Sequence, residues 1–305
     1  MNPFLDPLLP LPEQPLLGLS GGIDSVTLLD ALLEAGKRPV LLHFDHGWRN
    51  ESGDDAHFVR ALGKERGLRV IVAKAPAVTP RNETAARAAR YAFFARAAKR
   101  LALPDLVLAH HADDQVETFL LQLFRGSGSG WSGMECGTVR GPLRIHRPWL
   151  GLWRKEIVAR AAARHLAWRE DTTNHDPAHF RNAIRHHLLP LLETETGLGK
   201  ALGPRFLRTA TLQRDTQTWI DTLVAPLADA ERLAVAVVAA QPLPLQRRLL
   251  HLWLKKQGVA DLSFDDVEAA RGLVSRIRPA KINLSRGRHL RRQAGVLFVT
   301  AATAD

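Results

Sequence analysis

The chain has 305 residues, 46% apolar and 24% charged, a composition that suits globular domains and excludes low-complexity or collagen-like architectures. Its single cysteine, Cys136, rules out a disulfide framework, a C-x-x-C redox or zinc pair and an iron–sulfur ligand set, and fits a reducing cytoplasm. A formal net charge of +11 favours a polyanionic partner, nucleic acid first.

The start, Met1-Asn2-Pro3-Phe4-Leu5-Asp6-Pro7, carries prolines and an acid where an export signal would carry lysines and an apolar core. No apolar run reaches the roughly 20 residues needed to cross a bilayer. A cytoplasmic protein without membrane contact is expected. The apolar run 16–19 predicts a strand, Ser20-Gly21-Gly22-Ile23-Asp24-Ser25 a tight loop, and 26–35 a helix stopped at Gly36. Paired glycines let a ligand approach the backbone, and the helix start supplies N–H groups with partial positive charge, which suits a phosphate. The plainer alternative is a strand-to-helix turn capped by Ser20 or Asp24. Neither G-x-x-x-x-G-K-[ST] nor G-x-G-x-x-G is present.

Further strands are expected at 39–44, 68–72 and 106–109, with helices at 54–66 and 83–101 between them. That alternation predicts a parallel sheet covered by helices on both faces, with its ligand crevice beyond the carboxyl ends of the strands. The glycine loop, 43–46 and 110–114 all fall on that rim. After the second strand, Asp45 either meets a nucleoside or metal, or builds a turn with Gly47. Arg87 and Arg90 stand three apart beside Tyr91 and either clamp phosphates or solubilise their helix.

In His110-His111-Ala112-Asp113-Asp114-Gln115-Val116-Glu117-Thr118, Asp114 and Glu117 share one face of a first helical turn. They can hold a metal or a substrate cation, or, with Asp113 as cap, answer the helix dipole. The spacing matches no zinc pattern, and magnesium is the better expectation beside a phosphate loop. The glycine-rich 126–133, containing Trp131, is either a substrate lid or a connector.

From Leu150 the pattern turns helical, at 153–165 and 180–193, with Arg181 and Arg185 on one face of the later helix. These arginines either neutralise charge growing on a phosphate or face water. Gly197-Leu198-Gly199 is a hinge, followed by helices at 206–224 and 243–256 and short strands within 281–299. Between Arg271 and Arg292 lie eight basic residues and no acid, a nucleic-acid contact or a solvated face. The expected class is α/β: a parallel-sheet, Rossmann-like domain over 1–196, then a smaller, basic, mainly helical domain with short terminal strands over 197–305.

The loop S-G-G-I-D-S resembles the pyrophosphate loop of the ATP pyrophosphatases, which split ATP into AMP and pyrophosphate. With F-D-H-G-W-R, N-E-T-A-A-R-A-A-R-Y, A-H-H-A-D-D-Q-V-E-T, R-G-S-G-S-G-W-S-G-M, R-P-W-L, R-K-E-I, W-R-E-D-T-T-N and F-R-N-A-I-R following in order, the stretch from Leu16 to about Glu193 is similar to the tRNA(Ile)-lysidine synthetases of that group. The resemblance implies ATP and Mg²⁺ as cofactors and a CAU-anticodon isoleucine tRNA and L-lysine as substrates. The wobble cytidine would be adenylated and lysine joined to its C2, with release of pyrophosphate and AMP. It places ATP on Ser20, Gly21, Gly22, Ile23, Asp24, Ser25, Asp45 and His110, and metal on Asp24 and Asp114. Lysine falls to Asp114 and Glu117, catalysis to Asp24, Asp114, Glu117 and Arg181, and phosphate or tRNA contacts to Arg87, Arg90, Trp131 and Arg185. The basic 200–292 region would meet the RNA backbone, and a homodimer is left open. A sulfur-transferring relative would need more than Cys136.

Overall fold

A computed structural model describes residues 2–47, 52–76, 80, 82–126, 132–169, 180–259, 262–275 and 280–301. Trp48, Arg49, Trp131, the 127–130 loop, the E-D-T-T-N segment, Arg276, Arg278 and the Arg286 side chain lie outside the described residues. The chain forms two compact units, one of Met1–Glu117 with Met134–Gly197, the other of Thr118–Gly133 with Leu198–Asp305.

In the first unit the elements alternate as β1 (Leu16–Gly18), α1 (Ile23–Glu34), β2 (Val40–Asp45), α2 (Ser52–Glu65), β3 (Val70–Lys74), α3 (Glu83–Leu101), β4 (Asp105–Val107) and the start of α4 (Ala112–Phe124), whose residues from Thr118 on belong to the second unit. A hairpin of β5 (Gly137–Arg140) and β6 (Leu143–His146) and helix α5 (Arg154–Ala163) follow. The sheet runs β3-β2-β1-β4-β6-β5, parallel throughout except for the edge strand β5. The chain winds outward from β1 through β2 to β3 and then returns to the other side of β1 with β4. This reversal opens a crevice at the carboxyl ends of β1 and β4.

Because successive strand residues face opposite sides, a sheet covered on both faces needs apolar residues at every position. Leu17, Leu41 and Val107 pack with α1 residues Val26 and Leu29 and with Ile157 of α5. Their neighbours Leu16, Val40, Leu42 and Leu106 pack instead with Tyr91, Phe93, Phe94 and Ala97 of α3. Gly18 leaves room for Leu108, whose Cδ2 would have to shift if a Cβ stood 2.7 Å from it. Helix α3 starts where Asn82 Oδ1 accepts from Ala85 N at 2.8 Å and stops at Ala102, which takes a left-handed φ of 55°.

Helices α1 and α5 are locked by charge. Asp30 accepts from Arg160 Nη2 at 3.2 Å and Arg164 Nη2 at 3.1 Å, and Glu34 accepts from Arg160 Nη2 at 2.7 Å. Beyond α5 come α6 (Phe180–Ala183), a π-helical segment over Ile184–Leu188, and α7 (Leu189–Glu195).

The second unit contains α8 (Leu202–Val224), β7 (Leu233–Ala234), α9 (Val235–Ala239), α10 (Leu243–Lys256), α11 (Phe264–Ser275), β8 (Lys281–Leu284), β9 (Arg288–Gln293) and β10 (Val296–Ala301). Its antiparallel sheet, β7-β10-β9-β8, packs Leu290 and Leu297 against Leu250, Trp253 and Leu254 of α10 and Val267 and Leu273 of α11. Trp253 is fully buried and satisfies its indole by donating to Ala230 O at 2.8 Å. Among the described residues no helix is long and apolar enough to cross a membrane.

The expected strands and helices of the first unit are present with ends shifted by a few residues, but the β5–β6 hairpin was not anticipated. In the second unit α9, α11 and β7 are likewise additions to the expected helices. The compact units divide at Gly197, and Thr118–Gly133 goes with the second unit although the expected boundary assigned it to the first domain.

Candidate active site

Three loops reach the rim where the sheet reverses. In the first, Ser25 is 4% exposed and its hydroxyl ties the glycine loop to itself. Ser25 Oγ accepts from Ser20 N at 3.2 Å and Gly21 N at 3.3 Å, donates to Gly22 O at 3.0 Å and lies 3.0 Å from Ser20 Oγ. Gly22 N donates to Ser20 Oγ at 3.2 Å. The N–H groups of Ser20, Gly21 and Gly22 therefore serve the loop's own shape. The anion-binding capacity falls to the first turn of α1, where Ile23, Asp24 and Ser25 have N–H groups without helical partners. Gly21 has a φ of +96°, which favours glycine, whereas Gly22 has an ordinary φ of −74°. Ile23 turns its side chain into the core, 7% exposed.

A cavity of roughly 370 Å³ opens over this loop, lined among others by Ser20, Asp24, Ser25, Asp45, Arg90 and His110. Asp45 lines the cavity and accepts from Gly47 N at 2.7 Å, forming the turn. Arg87 lies outside that lining. Its guanidinium sits 4.9 Å from the Tyr91 ring centroid, and Arg140 lies 4.3 Å from the same centroid.

The opening of α4 carries the charge. Asp114 Oδ2 accepts from His111 N at 3.0 Å and so caps its own helix. Asp113 accepts from Arg154 N at 2.8 Å and caps α5 instead, across 41 positions of sequence. His111 is ringed by carboxylates: Asp113 Oδ2 at 3.4 Å, Asp114 Oδ2 at 3.5 Å and Asp24 Oδ2 at 3.9 Å. Burial opposes its charge, but these three acids outweigh it and raise the imidazole pKa. Burial also dominates at His110, whose pKa is lowered; Asp114 opposes this, while Arg147, Arg181 and Arg87 reinforce it. Asp24 is pushed up by burial against the pull of His111 and Arg154. Its Oδ1 is buried with no hydrogen-bond partner, and Arg154 Nε stands 3.8 Å away. Asp114 resists the same burial, because His111, Arg181 and His110 hold its carboxyl below the usual range.

Glu117 is 1% exposed, one turn further along α4. Its Oε1 accepts from Arg185 Nε at 2.5 Å, and its Oε2 from Arg181 Nε at 2.6 Å and Arg185 Nη2 at 3.1 Å. Arg181 Nη2 also reaches Asp114 Oδ1 at 2.9 Å. The helix carrying both arginines widens into its π segment where Arg185 stands, a local distortion frequent at functional sites.

A family model described as a PP-loop domain matches residues 4–192, and one described as a TilS substrate binding domain matches residues 233–298. The tRNA(Ile)-lysidine synthase of Thermosynechococcus vestitus is 33% identical over 301 residues, covering 93% of this chain and 85% of that protein. The chain belongs to the tRNA(Ile)-lysidine synthase family. The family member from Thermus thermophilus is 37% identical over 303 residues, and the chain spans 57% of its length. Among solved structures, the U34-tRNA thiolase NcsA from Methanococcus maripaludis aligns with a TM-score of 0.53 at 13% identity, over 65% of this chain and 71% of that one. That likeness is one of fold.

Of the residues the family resemblance singles out, Ser20, Asp24, Ser25, Asp45, His110 and Arg90 meet at one cavity, and Asp114, Glu117, Arg181 and Arg185 form one ion-pair cluster. Trp131 falls outside the described residues. The resemblance missed His111, Asp113, Arg154 and Arg169. Arg169 N donates to Gly21 O at 2.9 Å and its Nε to Asp55 Oδ1 at 3.1 Å, pinning the glycine loop to α2. In the basic stretch, Arg271 bonds Glu268, Arg288 bonds Gln257 O, and Arg292 donates to Leu273 O at 2.6 Å. Among its described residues Lys281 and Arg291, cross-strand neighbours, are exposed.

Proposed function

We propose that the chain joins L-lysine to C2 of the wobble cytidine in the CAU-anticodon isoleucine tRNA, by way of an adenylated cytidine and with release of pyrophosphate and AMP. The observation that carries this reading is the placement of the glycine loop, Asp24 and His110 on one cavity, beside a buried cluster of two acids and two arginines. A relative of which this chain covers 85% bears the matching name.

In this reading ATP lies over the first turn of α1, with Asp45 and neutral His110 toward the nucleoside and Arg90 toward a phosphate. Arg181, already oriented by carboxylates, stabilises charge that grows on the α-phosphate as the cytidine oxygen attacks. Asp24 and Asp114 would hold magnesium. Among the described residues no three His, Cys, Asp or Glu side chains form a metal cage, yet magnesium takes one or two carboxylates plus phosphate oxygens, and the unpartnered Asp24 Oδ1 fits that need. Bound there, magnesium supplies Lewis-acid stabilisation of phosphate charge. Lysine is assigned to Asp114 and Glu117, the two acids of the cluster. Arg87, Lys281 and Arg291 serve RNA phosphates, which position the tRNA without reading its sequence.

The test is product analysis: the chain is incubated with ATP, Mg²⁺, lysine and the unmodified tRNA, and AMP and pyrophosphate are quantified with each component omitted in turn. Equimolar AMP and pyrophosphate that require RNA and lysine support the reading, and nucleotide turnover indifferent to RNA refutes it.

A further inference from the structure

The small sheet of the second unit sorts its cations by face. Its four strands contain no Asp or Glu. On the side packed by α10 and α11, where Leu290 and Leu297 sit, Arg292 donates to Leu273 O and Arg288 to Gln257 O. Alternation along each strand turns the residues between them the other way. On that outer side the registers set Lys281 of β8 opposite Arg291 of β9, and Arg291 opposite Phe298 of β10. The β7–β10 register, continued by one residue, brings Arg232 opposite Phe298, and its guanidinium stands 5.1 Å from the ring centroid.

One row across the sheet thus carries Lys281, Arg291, Phe298 and Arg232, over roughly 14 Å at the spacing of neighbouring strands. The three cations are exposed, and among the described residues none of them has an ion pair. Like charges directly opposite on adjacent strands destabilise a sheet, and no strand supplies an acid to relieve Lys281 and Arg291. Partial burial, together with the same two cations, lowers the pKa of His289 on the next outward row. The row suits a polyanion that also carries flat rings. RNA phosphates answer the cations and an unpaired base answers the phenyl ring, as in other four-stranded sheets that stack bases on aromatics. A duplex keeps its bases stacked on one another, and an acidic protein surface would answer the cations alone.

We propose that the face of this sheet turned away from α10 and α11 binds unpaired nucleotides of the tRNA, with a base stacked on Phe298 and phosphates held by Lys281, Arg291 and Arg232. This rests on the tRNA reading above and adds which part of the RNA, single-stranded rather than helical, meets the second unit.

The test reads binding rather than turnover. The full chain is titrated with a short single-stranded RNA, a duplex of equal length and the unmodified tRNA transcript. Phe298→Leu, which keeps the side chain apolar, should weaken single-strand binding about tenfold, within the range of one base–aromatic stack, and leave its salt dependence unchanged. Duplex binding by that variant should stay within about twofold of the unaltered chain, and the transcript should lose affinity. Lys281→Gln and Arg291→Gln should each make the slope of log affinity against log salt shallower by about 0.7, the value for one phosphate contact on a single strand. Phe298→Trp should bind at least as tightly as the unaltered chain, which a folding defect at this position would not allow. On the folded protein, single-stranded RNA should raise the His289 pKa, followed by its ring-proton resonance, because phosphates neutralise Lys281 and Arg291.

Single-strand affinity unchanged in Phe298→Leu, or lost equally with that for duplex, would overturn the proposal. So would intact RNA binding in a Phe298→Leu chain that no longer self-associates in sedimentation, which would make the face an interface between copies. Lysine transfer to the tRNA with none of these binding changes removes the sheet site and leaves the proposed function standing. Single-strand binding that depends on Phe298, in a chain that transfers no lysine, does the reverse.

Discussion

Two buried hydroxyls, two residues apart on the same helix, should behave differently when removed. Thr27 is 0% exposed and donates to Ile23 O at 2.7 Å, within its own helix. Ser25 instead accepts from two loop N–H groups and donates to Gly22 O, so its loss releases the backbone that shapes the phosphate end of α1. Each net hydrogen bond contributes about 1 kcal/mol and a buried donor left unpaired costs about 1–3 kcal/mol. The long bonds to Ser20 N and Gly21 N put Ser25→Ala near 2 kcal/mol, by that same scale. For a unit of this size the melting transition would fall by roughly 4–8 °C. Thr27→Val keeps the shape, gives up one bond that the helix carbonyl partly retains with the backbone, and should cost about 1 kcal/mol. The decisive assay is ATP affinity by titration calorimetry, run beside urea unfolding. Ser25→Ala should weaken ATP binding by an order of magnitude or more, as about 1.4 kcal/mol of loop disorder requires, while Thr27→Val binds as the parent does. If Ser25→Ala binds ATP undiminished, the loop's self-bonding has no part in the site and the argument fails.

Three further perturbations follow from the same structure. Asp30→Ala leaves the nearly buried Arg160 with Glu34 alone and should lower the unfolding free energy by about 3 kcal/mol; a loss below about 1 kcal/mol would mean that water already screens the pair. Asp24→Asn removes a charge that burial disfavours, so the variant should melt no lower than the parent while losing Mg²⁺-dependent AMP formation; a fall in both would show that Asp24 is structural. In the second unit, bonds from Arg271 and Arg247 lower the Glu268 pKa to about 2. A depressed carboxyl pKa contributes stability that is present above the unfolded value and fades as pH falls through the folded one. Stability should therefore decline between about pH 4.5 and 2, and Glu268→Gln should flatten that slope in acid unfolding curves.

The parallel sheet was legible because its strands are short, apolar on both faces and spaced by helices with clear stops. The β5–β6 hairpin was not, since each strand has four residues and only Leu143 and Ile145 of β6 turn inward. Helix α11 announced itself in Ser263 and Asp266, whose reciprocal cap bonds of 3.1 and 2.9 Å form a capping box that the local pattern could have revealed. At the site, the residue types were readable from the motifs, and the partnerships were not. Asp113 looked like a cap for its own helix and caps α5; Glu117 meets arginines 64 and 68 positions away. Spacing along one helix says which carboxylates share a face, while the guanidinium that fills that face arrives through the tertiary fold. Which of two adjacent histidines lies among the acids also depended on the exit of β4 into α4, and the answer is His111.

The central claim is chemical and has a direct measurement: labelled lysine offered with ATP and Mg²⁺ to two transcripts of the CAU-anticodon isoleucine tRNA, one with its wobble cytidine and one with uridine there. The account predicts label retained on the cytidine transcript alone, with AMP released in step. Label on both transcripts, or on neither while the folded chain binds the RNA and ATP, would contradict it.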